Sequence, residues 1–105
     1  MKLPKMLKIG GHDVKIIFPY VFKERGDLLG QYDHDAKEIR INDATTGGEK
    51  VAESELICTF IHELFHAIDK TSGHRIFDDN DRALEGIAQG FYQVLVDNNY
   101  LEVTR

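Results

Sequence analysis

The fold of this 105-residue chain depends most on residues 54–70, which read SELICTFIHELFHAIDK. Apolar side chains recur in this stretch at three- and four-residue spacing, which is typical of the buried face of a helix. They are Leu56, Ile57, Phe60, Ile61, Leu64, Phe65 and Ile68. We therefore predict a helix that has Ser54 as its N-cap and ends between Lys70 and Gly73.

The middle of this helix contains the pentad His62-Glu63-Leu64-Phe65-His66, an H-E-x-x-H pattern. Residues four apart share one face of a helix, so both imidazoles can bind the same zinc ion. The intervening Glu63 can reach a water molecule beside that ion. We predict that His62 and His66 are metal ligands and that Glu63 is the catalytic residue, although surface histidines at this spacing can also be merely solvated.

A zinc site that retains an open position for water needs a third protein ligand. A second helix is predicted after the N-cap signals of residues 78–80, and it should end near residues 97–99. Its expected buried stripe is Leu84, Ile87, Ala88, Phe91 and Leu95. Glu85 lies within this stripe, and an antiparallel helix could point its carboxylate at the imidazoles, so we predict Glu85 as the third ligand. The other candidates for this place are Asp69, His74, Asp78, Asp79 and Asp81.

Several neighbouring side chains could support such a site. The single cysteine, Cys58, precedes His62 by one turn and could be a fourth ligand, but a lone mid-helix cysteine is more often a small buried residue. Hydrogen bonds from other residues normally orient ligand imidazoles. Gln89, Asp69 and Asn42 are the candidates for that role.

The first half of the chain has the pattern of β-strands. Residues 6–9 and 14–18 can form a hairpin across Gly10-Gly11, and residues 28–32 and 38–42 can form a second one. Ile39 and Ile41 alternate with polar residues, as in a half-buried strand. The prediction is an α+β fold in a single domain spanning residues 1–105, with a small, mostly antiparallel twisted sheet followed by two helices.

Composition limits the function classes. The net charge is -5, which disfavours a dedicated nucleic-acid binder. One cysteine permits no internal disulfide, which suits a reducing compartment. No apolar run has the length of a signal peptide or a membrane span, so we expect a cytoplasmic protein with neither nucleic acid nor membrane as partner.

The pentad together with Leu84-Glu85-Gly86-Ile87-Ala88 resembles the gluzincin branch of zinc metallopeptidases. Residues 90–95 are similar to the corresponding part of small metallopeptidase-like proteins of bacteria and their phages. The resemblance implies a minimal zincin-like fold, Zn²⁺ held by two histidines and a later helical glutamate, and a peptide or protein substrate that pairs with an edge strand. Residues 38–42 are our candidate for that strand.

The resemblance also implies a side chain that steadies the oxyanion, for which the sequence offers only open candidates. These are His74, Tyr92, Tyr100 and His34. The predicted function is a zinc-dependent metallopeptidase with Glu63 as general base. The alternatives are a metal-binding regulatory or interaction protein without catalysis, and a zinc hydrolase that acts on a substrate other than peptide. The oligomeric state stays open.

Overall fold

A computed structural model of the chain describes residues 3–23, 28–45 and 47–102. Four strands precede two helices, which confirms the predicted α+β order. The strands are β1 (Met6–Ile9), β2 (His12–Ile17), β3 (Gly30–Asp33) and β4 (Glu38–Ile41). The helices are α1 (Glu53–Thr71) and α2 (Asp81–Asp97).

The four strands form one mixed sheet in the order β1-β2-β4-β3. Both predicted hairpins are present as antiparallel pairs, and β2 pairs with β4 in parallel. The first hairpin turns at Gly10 and Gly11, whose φ angles of 57° and 81° fit the tight turn that a two-residue loop requires. The prediction that residues 38–42 form the edge strand was wrong, because β4 lies between β2 and β3. The edge strand next to α1 is β3, whose Gly30 lies against Thr59 and Glu63 of that helix.

Helix α1 lies between the sheet and α2. One side of α1 packs on the sheet in a cluster made of Ile9, Val14, Ile16, Ile39, Ile41, Phe60 and Ala67. Another side packs on α2 through Ile57, Ile61 and Ala88, with Phe65, Tyr92 and Leu101 around them. Among the described residues, α2 packs closely only on α1. The position of α2 therefore depends on a single helix–helix interface.

This arrangement corrects parts of the predicted buried stripes. Leu84 and Ala88 are fully buried, as expected, whereas Ile68, Ile87 and Phe91 are exposed. A two-helix layer covers only one side of α2, so the apolar stripe is wider than the contact.

The predicted ends of the helices are mostly right. Ser54 is not the N-cap of α1, because the cap is Ala52 and Ser54 lies in the first turn. Gly73, with a φ of 81°, ends α1 as expected. The Asn80 side chain accepts a hydrogen bond from the Ala83 backbone N–H and caps α2. Neither helix, within the part of the chain that the structure describes, is long and apolar enough to cross a membrane.

Candidate metal centre and cleft

The polar residues of the pentad lie where α1 faces both Gly30 of β3 and the start of α2. His62 and Glu63 are each only 8% exposed, although both are polar. Buried polar side chains need partners, because an unpaired polar group in the interior costs about 1–3 kcal/mol. The partners of these side chains therefore indicate what the site can do.

The two imidazoles converge on one carboxylate oxygen from the start of α2. Oδ1 of Asp81 lies 2.7 Å from Nε2 of His66 and 3.2 Å from Nε2 of His62. The ring centroids of the two histidines are 5.0 Å apart. Burial raises the pKa of Asp81, but hydrogen bonds and charge from His66 and His62 outweigh it and hold that pKa below its usual value.

These three side chains have the chemistry of a divalent metal site. One donor atom from each of His62, His66 and Asp81 lies within 4.8 Å of the others. Ligand atoms of a tetrahedral zinc site are about 3.3 Å apart, so the three donors need little movement to hold an ion. Imidazole nitrogen with carboxylate oxygen suits zinc and also accepts other divalent metals, so the donor set fits a metal ion without selecting one.

Glu85 lies on the other side of the His62 ring. Its Oε2 atom is 2.7 Å from Nδ1 of His62 but out of line for a hydrogen bond, so that this buried nitrogen has no hydrogen-bond partner among the described residues. The other carboxylate oxygen of Glu85 accepts a hydrogen bond from Nε2 of Gln89, at 2.9 Å. The cluster of converging donor atoms contains Asp81 and not Glu85. The role of Glu85 as third ligand therefore stays a prediction.

Glu63 lies against the edge strand and lines the same cleft as His62 and Asp81. A Cβ atom at Gly30 would lie 2.6 Å from Cγ2 of Thr59 and 3.2 Å from Oε2 of Glu63, so only glycine lets β3 approach α1 this closely. The pKa of Glu63 is raised to about 7 by burial, against the lowering effects of the His62 charge and the Tyr32 backbone. The carboxylates of Asp81 and Glu85 raise it further. The result is a buried carboxyl group whose pKa lies near neutrality.

Asp69 fixes the connection between the helices. Its two carboxylate oxygens accept hydrogen bonds from the backbone N–H groups of Ile76 and Phe77, at 3.0 and 2.9 Å. These bonds hold the loop that returns the chain from α1 to Asp81. Asp69 therefore acts on the site through the loop and not by contact with an imidazole.

A cleft passes over the cluster and divides into two arms. Both arms are lined by Leu28, Gly30, His62, Glu63 and Asp81. The larger, which we call the α2 arm, has a volume of about 700 Å³. Its further lining residues are Leu29, Ser54, Glu55, Cys58, Thr59, Glu85, Gln89 and Tyr92. The smaller, which we call the Lys70 arm, has about 290 Å³ and is also lined by Gln31, Tyr32, His66, Lys70 and Asp78.

The other residues that were predicted to support the site make contacts that differ from the predicted ones. Cys58 lines the α2 arm but is not part of the cluster of converging donors. Gln89 donates to Glu85 and not to a histidine, and Oδ1 of Asn42 accepts from the Ala44 backbone. Tyr92 lines the α2 arm, whereas Tyr100 is 79% exposed.

The two histidine candidates for an oxyanion group do not line either arm. Nδ1 of His34 is hydrogen-bonded to the Tyr32 hydroxyl at 2.9 Å. His74 is exposed and follows the end of α1. Asp81 was predicted only as one competitor for the third ligand, although its place in the first turn of α2 was a usable signal for a side chain that reaches across to α1.

Comparisons with known proteins give no assignment: no protein-family model, no curated protein and no solved structure matches the chain.

Proposed function

We propose that the chain is a metal-dependent hydrolase, a minimal metallopeptidase that cleaves peptide bonds with Glu63 as general base. The observation that carries this proposal is the convergence of Nε2 of His62, Nε2 of His66 and Oδ1 of Asp81 beside a buried glutamate in an open cleft. A structural metal site has no need of a fourth, uncoordinating acid at its side.

His62, His66 and Asp81 would hold the ion, which would supply Lewis acidity toward a carbonyl oxygen and would acidify water. The Glu85 carboxylate lies 2.7 Å from Nδ1 of His62 and places negative charge behind that ring, on the side from which carboxylates commonly support ligand histidines. Gln89 holds the Glu85 carboxylate through its amide. Asp81 and Glu85, one turn apart on α2, thus have different roles: Asp81 is a metal ligand and Glu85 supports a ligand histidine.

Glu63 performs the proton transfers. Its carboxylate takes a proton from the attacking water and delivers it to the leaving amine nitrogen. The backbone of β3, pressed close by Gly30, keeps bulk water away from one side of this carboxylate.

The substrate that fits best is an extended peptide. Asn42 N–H donates to Leu29 O at 2.9 Å, so the next antiparallel pair, Gly30 with Ile41, is one that exchanges no hydrogen bonds. The backbone groups of Gly30 then point away from β4, toward the open edge beside the cleft. A peptide can add to such an edge as a further strand.

The test is the substitution Glu63→Gln, which keeps the size of the side chain and removes its basicity. We expect metal content to stay at the wild-type level and hydrolysis of a mixed peptide library, followed by mass spectrometry, to fall by at least about 100-fold. His66→Ala should lose both metal and hydrolysis. Hydrolysis that survives unchanged in the Glu63 variant would rule out the assigned base. Metal binding without any hydrolysis in the wild type would favour a binding protein.

A further inference from the structure

The outer side of α2, which faces away from α1, is apolar. Three large apolar side chains are exposed along this helix, namely Ile87, Phe91 and Val94, at 51%, 43% and 49% exposure. Their four- and three-residue spacing places them in one stripe, which we call the outer stripe. Gly86 and Gly90 lie beside it, and a Cβ atom at either would meet nothing within 4 Å. The outer side of α2 thus combines apolar side chains with a bare length of backbone.

A helix side that faces water normally carries charge, and α2 has none between its two ends. Residues 86–96 read GIAQGFYQVLV and contain no charged residue, although 30% of the chain is charged. The inner side of the same segment is buried on α1 through Ala88, with Tyr92 beside it. A helix that is apolar all round is normally covered all round. The outer stripe therefore has the composition of a surface that another molecule covers.

The charges at the two ends of α2 indicate what that molecule is. Arg82 lies in the first turn of the helix, and Asp97 is its last residue. Both charges are at the unfavourable end of their own helix dipole, because cations are favoured at the C-terminus and anions at the N-terminus. Beside an antiparallel copy of α2, each charge would instead lie next to its opposite and next to the favourable end of the other helix. The ends of α2 are thus complementary to a second α2.

We propose that two copies of the chain associate through the outer sides of α2, with the helices antiparallel and a two-fold axis at Gly90. In such a contact each pair of residues occurs twice. Gly90 faces its own copy, where the absence of a side chain lets the two backbones approach. Gly86 faces Val94 of the second copy and leaves room for its side chain. Arg82 reaches Asp97 of the second copy at both ends, so no like charges meet.

A membrane surface suits this helix less well than a second copy does. Helices that lie on anionic membranes are rich in lysine and arginine. Helix α2 contains one arginine against three acids, which are Asp81, Glu85 and Asp97, and the whole chain has a net charge of -5. The charge of α2 therefore opposes binding to an anionic bilayer, whereas it supports antiparallel self-association.

The size of the contact predicts a reversible dimer. A helix of 17 residues is about 25 Å long and roughly 10 Å wide, so the contact is smaller than the roughly 800 Å² per partner of a standard interface. We therefore expect a dissociation constant in the micromolar range. The dimer leaves the cleft open, because Glu85 and Gln89 line it from another side of α2 and neither Ile87 nor Val94 lines either arm. Association is thus independent of hydrolysis.

The test measures the molar mass of the full chain by sedimentation equilibrium from about 1 to 500 µM, a range that spans a micromolar dissociation constant. We expect the mass to rise from that of one chain toward that of two. Val94→Glu places a charge in the outer stripe and should keep the chain monomeric. The matched control is Val21→Glu, at a valine outside α2 that is 72% exposed, and it should dimerise as the wild type does. Circular dichroism checks that both variants are folded.

Further variants separate the antiparallel contact from unspecific association. Gly90→Gln adds a good helix former, so it should raise the Tm of the monomer while it weakens the dimer at least about tenfold. Arg82→Glu brings like charges together at both ends and should weaken the dimer by about tenfold. Addition of Asp97→Arg to this variant restores opposite charges and should return the dissociation constant to within about threefold of the wild type.

A chain that stays monomeric at the highest concentration would overturn the proposal. So would a dimer that Val94→Glu leaves intact, that Val21→Glu dissociates equally, or that the double charge reversal fails to restore. Vesicles of phosphatidylcholine and phosphatidylglycerol test the other occupant, since a monomer that sediments with them through Val94 would assign the outer stripe to a membrane. Dimerisation of a chain that hydrolyses nothing would sustain this proposal and overturn the proposed function. Hydrolysis by a strictly monomeric chain would do the opposite.

Discussion

Gly30 on β3 lies against Glu63 on α1, so close that a Cβ atom at position 30 would be 3.1 Å from Cγ of Glu63. This approach joins the edge of the sheet to the proposed base. Any side chain at position 30 must move the strand, the Thr59 side chain or the Glu63 side chain.

Gly30→Ala should therefore destabilise the protein and weaken catalysis together. The added methyl group meets Thr59 at 2.6 Å as well as Glu63, and overpacking of this kind costs about 1–3 kcal/mol. Urea denaturation measures the loss, and kcat on a cleaved peptide measures the displacement of Glu63. Gly86→Ala is the control: a Cβ there meets nothing within 4 Å, and removal of a mid-helix glycine should stabilise the fold by about 0.5–1 kcal/mol. A neutral or stabilising Gly30→Ala would mean that β3 does not press on α1.

The two acids of α2 should affect metal binding unequally. Asp81→Ala removes the carboxylate that both Nε2 atoms face and should abolish stoichiometric zinc binding. Glu85→Gln removes a group behind His62 and should weaken zinc binding by about 10- to 100-fold without abolishing it. Competition with a chelating dye measures both affinities. The reverse order of effects would make Glu85 the third ligand, as first predicted from the sequence.

Metal should stabilise the folded chain through the contact between α1 and the start of α2. An ion that binds only the folded state adds about 2.7 kcal/mol when its concentration is 100 times Kd. The Tm should accordingly rise when zinc is added and fall when EDTA removes it. His66→Ala should show no such rise, since it lacks one of the three donors. An equal rise in this variant would place the stabilising ion elsewhere.

The loss of thermal stability at low pH should depend on Asp69. Burial raises the pKa of this carboxyl, but hydrogen bonds from the Phe77 and Ile76 backbone outweigh it and hold that pKa below its ordinary value of 3.8. A group whose pKa is lower in the folded state stabilises the fold above the unfolded pKa, and this contribution is lost as pH falls through the folded pKa. The Tm of the wild type should therefore drop below about pH 4.

Asp69→Asn tests this assignment in metal-free protein, so that metal release does not contribute. The variant should have a lower Tm at neutral pH, because an amide offers one acceptor for two backbone donors, and a smaller decline in acid. Asp79→Asn, at an exposed loop position, serves as the control and should follow the wild-type curve. A loss of thermal stability at low pH that is identical in Asp69→Asn and the wild type would contradict the assignment.

Local signals in the sequence were enough for most of the secondary structure. Gly10-Gly11 between two apolar runs predicted the first hairpin, the spacing of Ile57 to Phe65 predicted α1, and Asn80 marked the start of α2. These signals depend on residues within a few positions of each other, so no tertiary information was needed. The prediction of Ser54 as N-cap was wrong, because the N-cap is Ala52, two residues earlier in the chain.

The sequence by itself determined that His62 and His66 share one face of a helix, because a four-residue separation places them one turn apart. Only the tertiary structure decided which other residues lie opposite that turn. Asp81 and Glu85 occupy the same face of α2, and the packing of Leu84 and Ala88 on α1 sets which carboxylate meets Nε2 and which meets Nδ1. Likewise, the parallel pairing of β2 with β4 put β3 at the edge beside Glu63, a long-range choice that alternation within a strand does not encode.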